Sequence, residues 1–187
     1  MLLGLFFMDS TPFAEKDVPL LMTLQPIGLL LGILVAGRIY NSRTTPSSRL
    51  KVINRLYSIS IMAIIVIYFA SMWAQSNVKT VVLCCAVLLT SFGVAVQYFI
   101  VAEVFAIEFG GNAAGLCISL MNGFGHAVSA IIFIPIGLIA DGKFGWPGVW
   151  ALFAVLLLSG CTFMNLFFRV FYLNVKKYLP VASTEDL

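Results

Sequence analysis

Charged side chains are scarce in this sequence. They make up 10% of its 187 residues, against roughly 25% in ordinary soluble domains. Hydrophobic residues make up 61% of the chain, and its mean hydropathy is +1.04. Because a water-soluble fold cannot bury this much apolar surface, the composition excludes a soluble domain. It predicts an integral membrane protein that contacts lipid.

Residues that carry the chemistry of soluble enzymes are also scarce. The chain has one histidine, His126, and it lacks a glycine-rich phosphate loop and any histidine-rich metal cluster. Its four cysteines lie inside apolar stretches without CxxC spacing, and we interpret them as small packing residues. They are Cys84, Cys85, Cys117 and Cys161. We therefore expect no enzymatic activity, no metal or cofactor, and no nucleic-acid partner.

Five long apolar stretches dominate the chain. A helix crosses the hydrocarbon core of a bilayer with about 20 mostly apolar residues, and each stretch is close to that length or longer. The predicted spans, A to E, are Val18 to Gly37, Leu56 to Ala74, Lys79 to Ala106, Ala113 to Ala140, and Pro147 to Phe171. The expected fold is all-α, a multi-pass transmembrane helix bundle over residues 18–175, with residues 1–17 as an external segment and 176–187 as a cytoplasmic tail.

The loop between spans A and B sets the predicted orientation. It carries five basic residues and no acid, namely Arg38, Arg43, Arg49, Lys51 and Arg55. Short cytoplasmic loops are enriched in Lys and Arg, so this loop is predicted to be cytoplasmic. The B–C and D–E turns and the N-terminal segment then face outward, while the C–D turn and the tail face inward.

The N-terminal segment begins with eight apolar residues, 1–8, which are too few for a span. We interpret them as the outer end of another helix that this chain lacks, so that sequence upstream is expected. The alternative interpretation is a short helix at the membrane interface.

Small residues and one proline indicate how the spans pack. Gly28, Gly32 and Ala36 recur every four residues in span A and predict a seam where a second backbone approaches closely. Pro26 predicts a bend in the same span. Span B has almost no polar side chains and is predicted to be a lipid-facing outer helix. Asn165 in span E is predicted to bond across a helix seam.

Span D carries a polar stripe along one face. The stripe recurs at helical spacing and consists of Gly115, Ser119, Asn122, His126, Ser129 and Phe133. Polar side chains are costly in lipid, so the stripe is expected to face the bundle interior or a water-filled cavity. His126 lies near mid-membrane, where it either takes part in protonation or substrate binding, or is a neutral histidine that a neighbouring helix satisfies.

Five residues are predicted to line a substrate pathway: Gln97, Ser119, Asn122, His126 and, as a weaker addition, Gln25. Gln97 belongs to span C and lies near its centre. Glu103, further along span C, lies closer to the cytoplasmic surface. We expect it at the interface or paired with Arg38 or Arg55 rather than carrying protons.

Two motifs resemble the major facilitator superfamily. The loop Gly37-Arg-Ile-Tyr-Asn-Ser-Arg43 is similar to the cytoplasmic motif of that superfamily, with Asn41 where aspartate is usual. The second resemblance is to the last three helices of these carriers, particularly organophosphate:phosphate antiporters. Its residues are Glu103, Gly111-Asn-Ala-Ala-Gly115, Asn122-Gly123, Gly125, Pro135, Gly137, Asp141 and Gly145-Trp146.

The resemblance implies that spans A to E correspond to the eighth to twelfth helices of a twelve-helix carrier that works by alternating access. The chain would then be part of a secondary-active transporter for a small polar or anionic solute, needing a missing N-terminal half or a partner subunit. The arginines that hold phosphate in such antiporters lie on the missing helices, so the resemblance does not identify the substrate. The alternative is a structural subunit of a membrane complex without transport.

Overall fold

The computed structural model describes residues 2–13, 15–96, 98 and 111–172 of the chain. Within these ranges all regular structure is helical. The main elements are α1 (Leu2–Ser10), α2 (Val18–Asn41), α3 (Pro46–Ser71), α4 (Asn77–Ala95), α5 (Ala114–Ala140) and α6 (Gly145–Phe167). Helices α2 to α6 are long and apolar enough to cross a bilayer, which confirms the predicted all-α, multi-pass helical bundle. The inner part of predicted span C, with Gln97 and Glu103, and the tail lie outside the described residues.

Side-chain caps set the beginnings of α3 and α4. Thr45 Oγ1 accepts a hydrogen bond from the Ser48 amide at 3.3 Å, and Pro46 occupies the first helical position, where its missing N–H costs nothing. Ser76 Oγ likewise accepts from the Lys79 amide at 3.1 Å. Helix α3 therefore begins well before Leu56, and several basic residues predicted in a loop lie on its first turns.

Lys79 stabilises the turn between α3 and α4 by hydrogen bonding of its side chain. Its side chain is buried, and its Nζ donates to the carbonyl oxygen of Trp73 at 3.0 Å and that of Ser71 at 3.4 Å. These carbonyls lie at and just beyond the C-terminal end of α3, where the helix dipole favours a cation. The ammonium thus supplies hydrogen-bond donors to carbonyl oxygens for which the helix has no further backbone N–H groups.

The predicted seam on α2 is confirmed, and its partner is α4. A Cβ added at Gly28 would lie 2.6 Å from the Leu88 carbonyl oxygen, and one at Gly32 would lie 2.5 Å from the Phe92 carbonyl oxygen. Only a residue without a Cβ allows the two backbones to approach this closely. Ala36, the third member of the seam, is buried as well.

Helix α3 buries one face in the bundle and leaves the other exposed, with Met62 61% and Phe69 57% exposed, so the prediction that span B is a lipid-facing outer helix is wrong for the buried face. It packs against both α4 and α6. Its buried residues are Ile53, Leu56, Tyr57, Ser60, Ala63, Ile64, Ile67 and Ala70. The physical reason is that membrane helices associate through shape and small residues rather than through polarity, so a scarcity of polar groups does not indicate exposure to lipid. Gly93 of α4 illustrates this, because it faces Ser60 with no space for a Cβ.

Three outer segments meet at one end of the bundle, which we call the outer end. The Asp9 carbonyl oxygen accepts from Gln75 Nε2 at 3.2 Å, and Asp9 Oδ2 accepts from Trp146 Nε1 at 2.8 Å. These bonds join the N-terminal segment to the α3–α4 turn and to the first turn of α6, the arrangement that the predicted topology requires. Helix α1 is nine residues long and buries Phe6 and Phe7 at this end. Its interpretation as the end of a preceding helix remains a prediction.

The basic connector between α2 and α3 lies at the opposite, inner end. The Arg49 guanidinium lies 5.3 Å from the ring centroid of Tyr40, a favourable cation–π distance. Tyr40 belongs to a buried cluster that also contains Ile53 and, just beyond the end of α6, Phe168. The connector and the C-terminal end of α6 therefore share one end of the bundle, as the predicted topology requires.

Two asparagines join α3 to α6 near the inner end. Asn54 Nδ2 donates to Asn165 Oδ1 at 2.9 Å, and Asn165 Nδ2 donates to Asn54 Oδ1 at 2.8 Å. Asn165 Nδ2 also lies 2.8 Å from the Cys161 carbonyl oxygen of its own helix. The prediction that Asn165 bonds across a helix seam is confirmed.

Replacing Gly32 by alanine should destabilise the bundle by about 1–3 kcal/mol, because the added methyl group overpacks the α2–α4 seam. Gly137 is the matched control, since a Cβ there would meet nothing within 4 Å. Gly137→Ala should be neutral or stabilising by up to about 1 kcal/mol through helix propensity. Thermal unfolding in detergent measures both. Equal midpoints for the two variants would contradict the seam.

Replacing Asn165 by leucine should cost about 0.6–1.7 kcal/mol, the range of interhelical hydrogen bonds in membranes, because the Asn54 amide is left without its partner. The double variant Asn54→Leu/Asn165→Leu should be more stable than the sum of the single changes predicts. Chemical denaturation in mixed micelles provides the comparison. The control is Thr162→Ala, an exposed residue whose hydroxyl bonds only its own helix. Strict additivity of the two asparagine changes would rule out the coupling.

Candidate functional site

A cavity of about 390 Å³ opens among the helices in the outer half of the bundle. Side chains from α1 to α6 all contribute to its wall. This volume falls at the lower end of the roughly 300–1,000 Å³ that small-molecule sites occupy. Most of the wall is aliphatic or aromatic, and a small number of uncharged polar groups interrupt it.

One wall of the cavity is aromatic. Trp146, Trp150 and Phe153 recur at helical spacing on α6, so their side chains fall on one face, and all three line the cavity. Phe6 of α1 contacts this face edge-on, with ring centroids 5.2 Å from Trp146 and 4.9 Å from Trp150. Edge-to-face packing of this kind fixes the rings beyond what burial alone achieves. The aromatic wall therefore has a defined shape.

Helices α2 and α4 contribute the polar groups of the wall, namely Gln25 of α2 and Thr90 and Ser91 of α4. The α2–α4 seam places them together, because Gly28 lies one helical turn beyond Gln25 and a Cβ on it would lie 2.8 Å from Ser91 Cβ. Gln25 precedes Pro26 and follows an interruption of the helix at Thr23. Pro26 has no N–H to continue the helical hydrogen bonding at this point.

Three polar groups around the cavity make no hydrogen bond to any residue that the structure describes. They are the Gln25 amide, the Ser91 hydroxyl and the indole N–H of Trp150. Ser91 is 6% exposed and Trp150 is 9% exposed. The Thr90 hydroxyl differs, since it donates to the Ala86 carbonyl oxygen at 2.8 Å. Buried polar groups are normally paired, and among the described residues the Trp150 indole N–H is a buried one without a partner, whereas the Gln25 amide is exposed.

The polar stripe of predicted span D lies on an exposed face of α5. Ser119, Asn122 and His126 are all exposed, and the Ser119 hydroxyl donates only to the Gly115 carbonyl oxygen of its own helix, at 2.9 Å. Phe133 belongs to the same stripe and lines the cavity. The expectation that the stripe faces the interior of the bundle is therefore not met among the described residues, because every residue of α5 from 121 to 130 is exposed and only Phe133 of the stripe reaches the cavity.

The structure therefore separates the five predicted pathway residues. Gln25 lines the cavity, and Gln97 lies outside the described residues. Ser119, Asn122 and His126 lie on α5 away from the cavity wall, and their role in a pathway remains a prediction. Within the described part of the chain, no three His, Cys, Asp or Glu side chains converge closely enough to hold a metal ion.

The sequence reasoning missed most of the cavity wall. Ser91 and the aromatic residues of α6 did not enter the predicted site, because a polar pattern along one helix does not reveal residues that other helices contribute. The spacing of Trp146, Trp150 and Phe153 is the signal that was present, although the same spacing is typical of ordinary helix packing. What identifies these residues is their convergence with side chains from α2 and α4, which no single helix reveals.

Comparison of the chain with protein-family models, with curated proteins and with solved structures finds no match.

Gln25→Cys should be modified by a small water-soluble thiol reagent, because residue 25 is exposed in the cavity wall. Ser60→Cys is the matched control, since Ser60 is fully buried between α3 and α4. The measurement is label incorporated above the wild-type level in membranes, which accounts for the four native cysteines. Protection of residue 25 equal to that of residue 60 would show that the cavity is closed.

Proposed function

We propose that this chain is part of a secondary-active membrane transporter that moves a small polar or anionic solute by alternating access. It acts together with a missing N-terminal half or a partner subunit. The observation that carries the proposal is the cavity built from α1 to α6, with unpaired polar groups around it. Helix bundles in membranes place solute sites between helices in this way.

The resemblance to major facilitator carriers supports the same function. The basic connector lies at the inner end and the acidic N-terminal segment at the outer end, which is where the eighth to twelfth helices of such a carrier would place them. Gln25, beside the interrupted turn of α2, belongs to the cavity wall. A helix interrupted at a binding site is a recurring feature of secondary transporters, because it frees backbone groups for the solute.

The exposed face of α5 supports the involvement of a partner subunit or of further helices. Its polar stripe is exposed, and a Cβ at Gly115, Gly123 or Gly125 would meet nothing within 4 Å. A polar stripe against lipid tails is unfavourable, and small residues allow another helix to approach closely. The same face favours the alternative function, a structural subunit without transport, because either function brings a partner helix to α5.

The sequence upstream in the transcript separates the two functions. About seven further spans, in frame with Met1, would support the carrier, since a twelve-helix protein needs that number before α2. An in-frame stop codon close upstream, together with a purified complex that lacks uptake activity, would favour the structural subunit. Sequencing of the full transcript and co-purification from native membranes provide both observations.

Asn122→Leu and His126→Ala should each lower solute uptake by the full-length protein about 2- to 10-fold, the effect of losing one hydrogen bond worth roughly 0.5–1.5 kcal/mol. Initial uptake rates, divided by the amount of protein at the membrane, measure the effect. Thr162→Ala is the control, because it changes an exposed hydroxyl on α6 far from the stripe in sequence. Wild-type rates in both stripe variants would remove α5 from the pathway.

A further inference from the structure

Two groups of the cavity wall define what a ligand of the outer cavity must offer. The Ser91 hydroxyl both donates and accepts, the Gln25 amide does the same, and neither bonds a described residue. The Trp150 indole nitrogen has no partner either, but it has almost no accessible surface, so a ligand in the cavity does not reach it. A group that presents both an acceptor and a donor, such as an amide, matches Ser91 and Gln25. An aliphatic chain leaves both unpaired and gains nothing from them.

The charge of the cavity wall restricts the ligand further. Among the residues that the structure describes, no Lys, Arg, His, Asp or Glu side chain lines the cavity. Lys79, the buried cation at the outer end, has its ammonium bonded to the Ser71 and Trp73 carbonyl oxygens. Burying a charged ligand without a counter-charge is costly, so the wall favours an uncharged one.

The aromatic wall restricts the ligand's shape. Phe6, Trp150 and Phe153 pack against one another, with ring centroids 4.9 Å apart between Phe6 and Trp150 and 5.6 Å apart between Trp150 and Phe153. Phe6 is fully buried, so the accessible aromatic surface of the wall comes mainly from the half-buried Trp146 and Phe153. Aromatic surface of this kind packs well against another planar group. The volume of about 390 Å³ holds one small molecule of this kind.

We propose that the outer cavity binds a small uncharged solute with a planar apolar body and an amide-like polar end, the body against the α6 aromatic residues and the polar end against Gln25 and Ser91. The proposal rests on the proposed function in one respect, since it names the class of solute that the transporter moves. It narrows the polar or anionic solute to an uncharged one at this site.

Equilibrium binding of benzamide tests the proposal, with benzoate and toluene as probes of the same ring. The chain has three tryptophans, so Trp73→Phe leaves only the two in the cavity wall, Trp146 and Trp150. In this background, benzamide should change the tryptophan emission saturably in the low millimolar range. Benzoate should bind at least about tenfold more weakly, because its charge has no partner in the cavity. Toluene should also bind more weakly, because it pairs none of the polar groups.

Two variants assign the polar end. Ser91→Ala and Gln25→Leu should each weaken benzamide binding several-fold, and Ser58→Ala, an exposed serine that bonds only the Asn54 carbonyl oxygen, should leave it unchanged. Gln25 is exposed, so its replacement keeps the test valid if the buried Ser91 change impairs folding. Absence of saturable benzamide binding, equal binding of benzoate or toluene, or no effect of the Gln25 change would overturn the proposal.

The binding measurement is independent of transport. Saturable benzamide binding without uptake of any solute would keep the cavity assignment and remove the transporter. Uptake that persists while benzamide fails to bind would keep the transporter and remove the proposed class of solute. The two proposals therefore fail separately.

Discussion

The close contact between the backbones of α2 and α4 is the interaction on which the cavity depends. In lipid, an apolar helix surface is as well solvated by acyl chains as by another helix, so the hydrophobic effect does not drive association. The association of helices therefore depends on close packing. Gly28 and Gly32 permit that packing because they leave the facing carbonyl groups unobstructed. The same contact places Gln25 one helical turn from the seam and opposite Ser91. The contact that packs α2 against α4 therefore also forms the polar part of the cavity wall.

The two ends of the bundle are fastened by different chemistry. At the outer end, Asp9 accepts hydrogen bonds from Trp146 and Gln75, and the Lys79 ammonium donates hydrogen bonds to carbonyl oxygens at the end of α3. At the inner end, the Asn54–Asn165 pair satisfies both amides without any charge. The inner end also has a charged contact, since the Arg49 guanidinium lies over the Tyr40 ring, so charged side chains lie at both ends of the bundle and the uncharged asparagine pair joins α3 to α6. The distribution matches a bundle that lies across a membrane.

Features encoded in the local pattern of one helix could be predicted from the sequence. The spans follow from apolar length, the α2 seam from glycine spacing, and the arrangement of the ends from the placement of basic residues. The buried face of α3 could not be predicted, because its contacts use serine, alanine and branched apolar residues that also suit a lipid-facing helix. The cavity was missed for a related reason. Its wall combines residues of α2, α4 and α6. The spacing of residues within one helix does not predict how that helix is positioned against another.

Helix α5 links the cavity to the proposed transport cycle. Within the described part of the chain, its substantial contact is with α6, while the stripe that ends at Phe133 is exposed along most of its length. A partner that covers the stripe would therefore also close the side of the cavity at Phe133. Movement of such a partner against α5 would open and close the site without disturbing the α2–α4 seam or the asparagine pair. If the chain transports a solute as proposed, the mutually packed helices α2, α3 and α4 would hold the polar groups of the cavity in place, and α5, which contacts mainly α6, would give access to them.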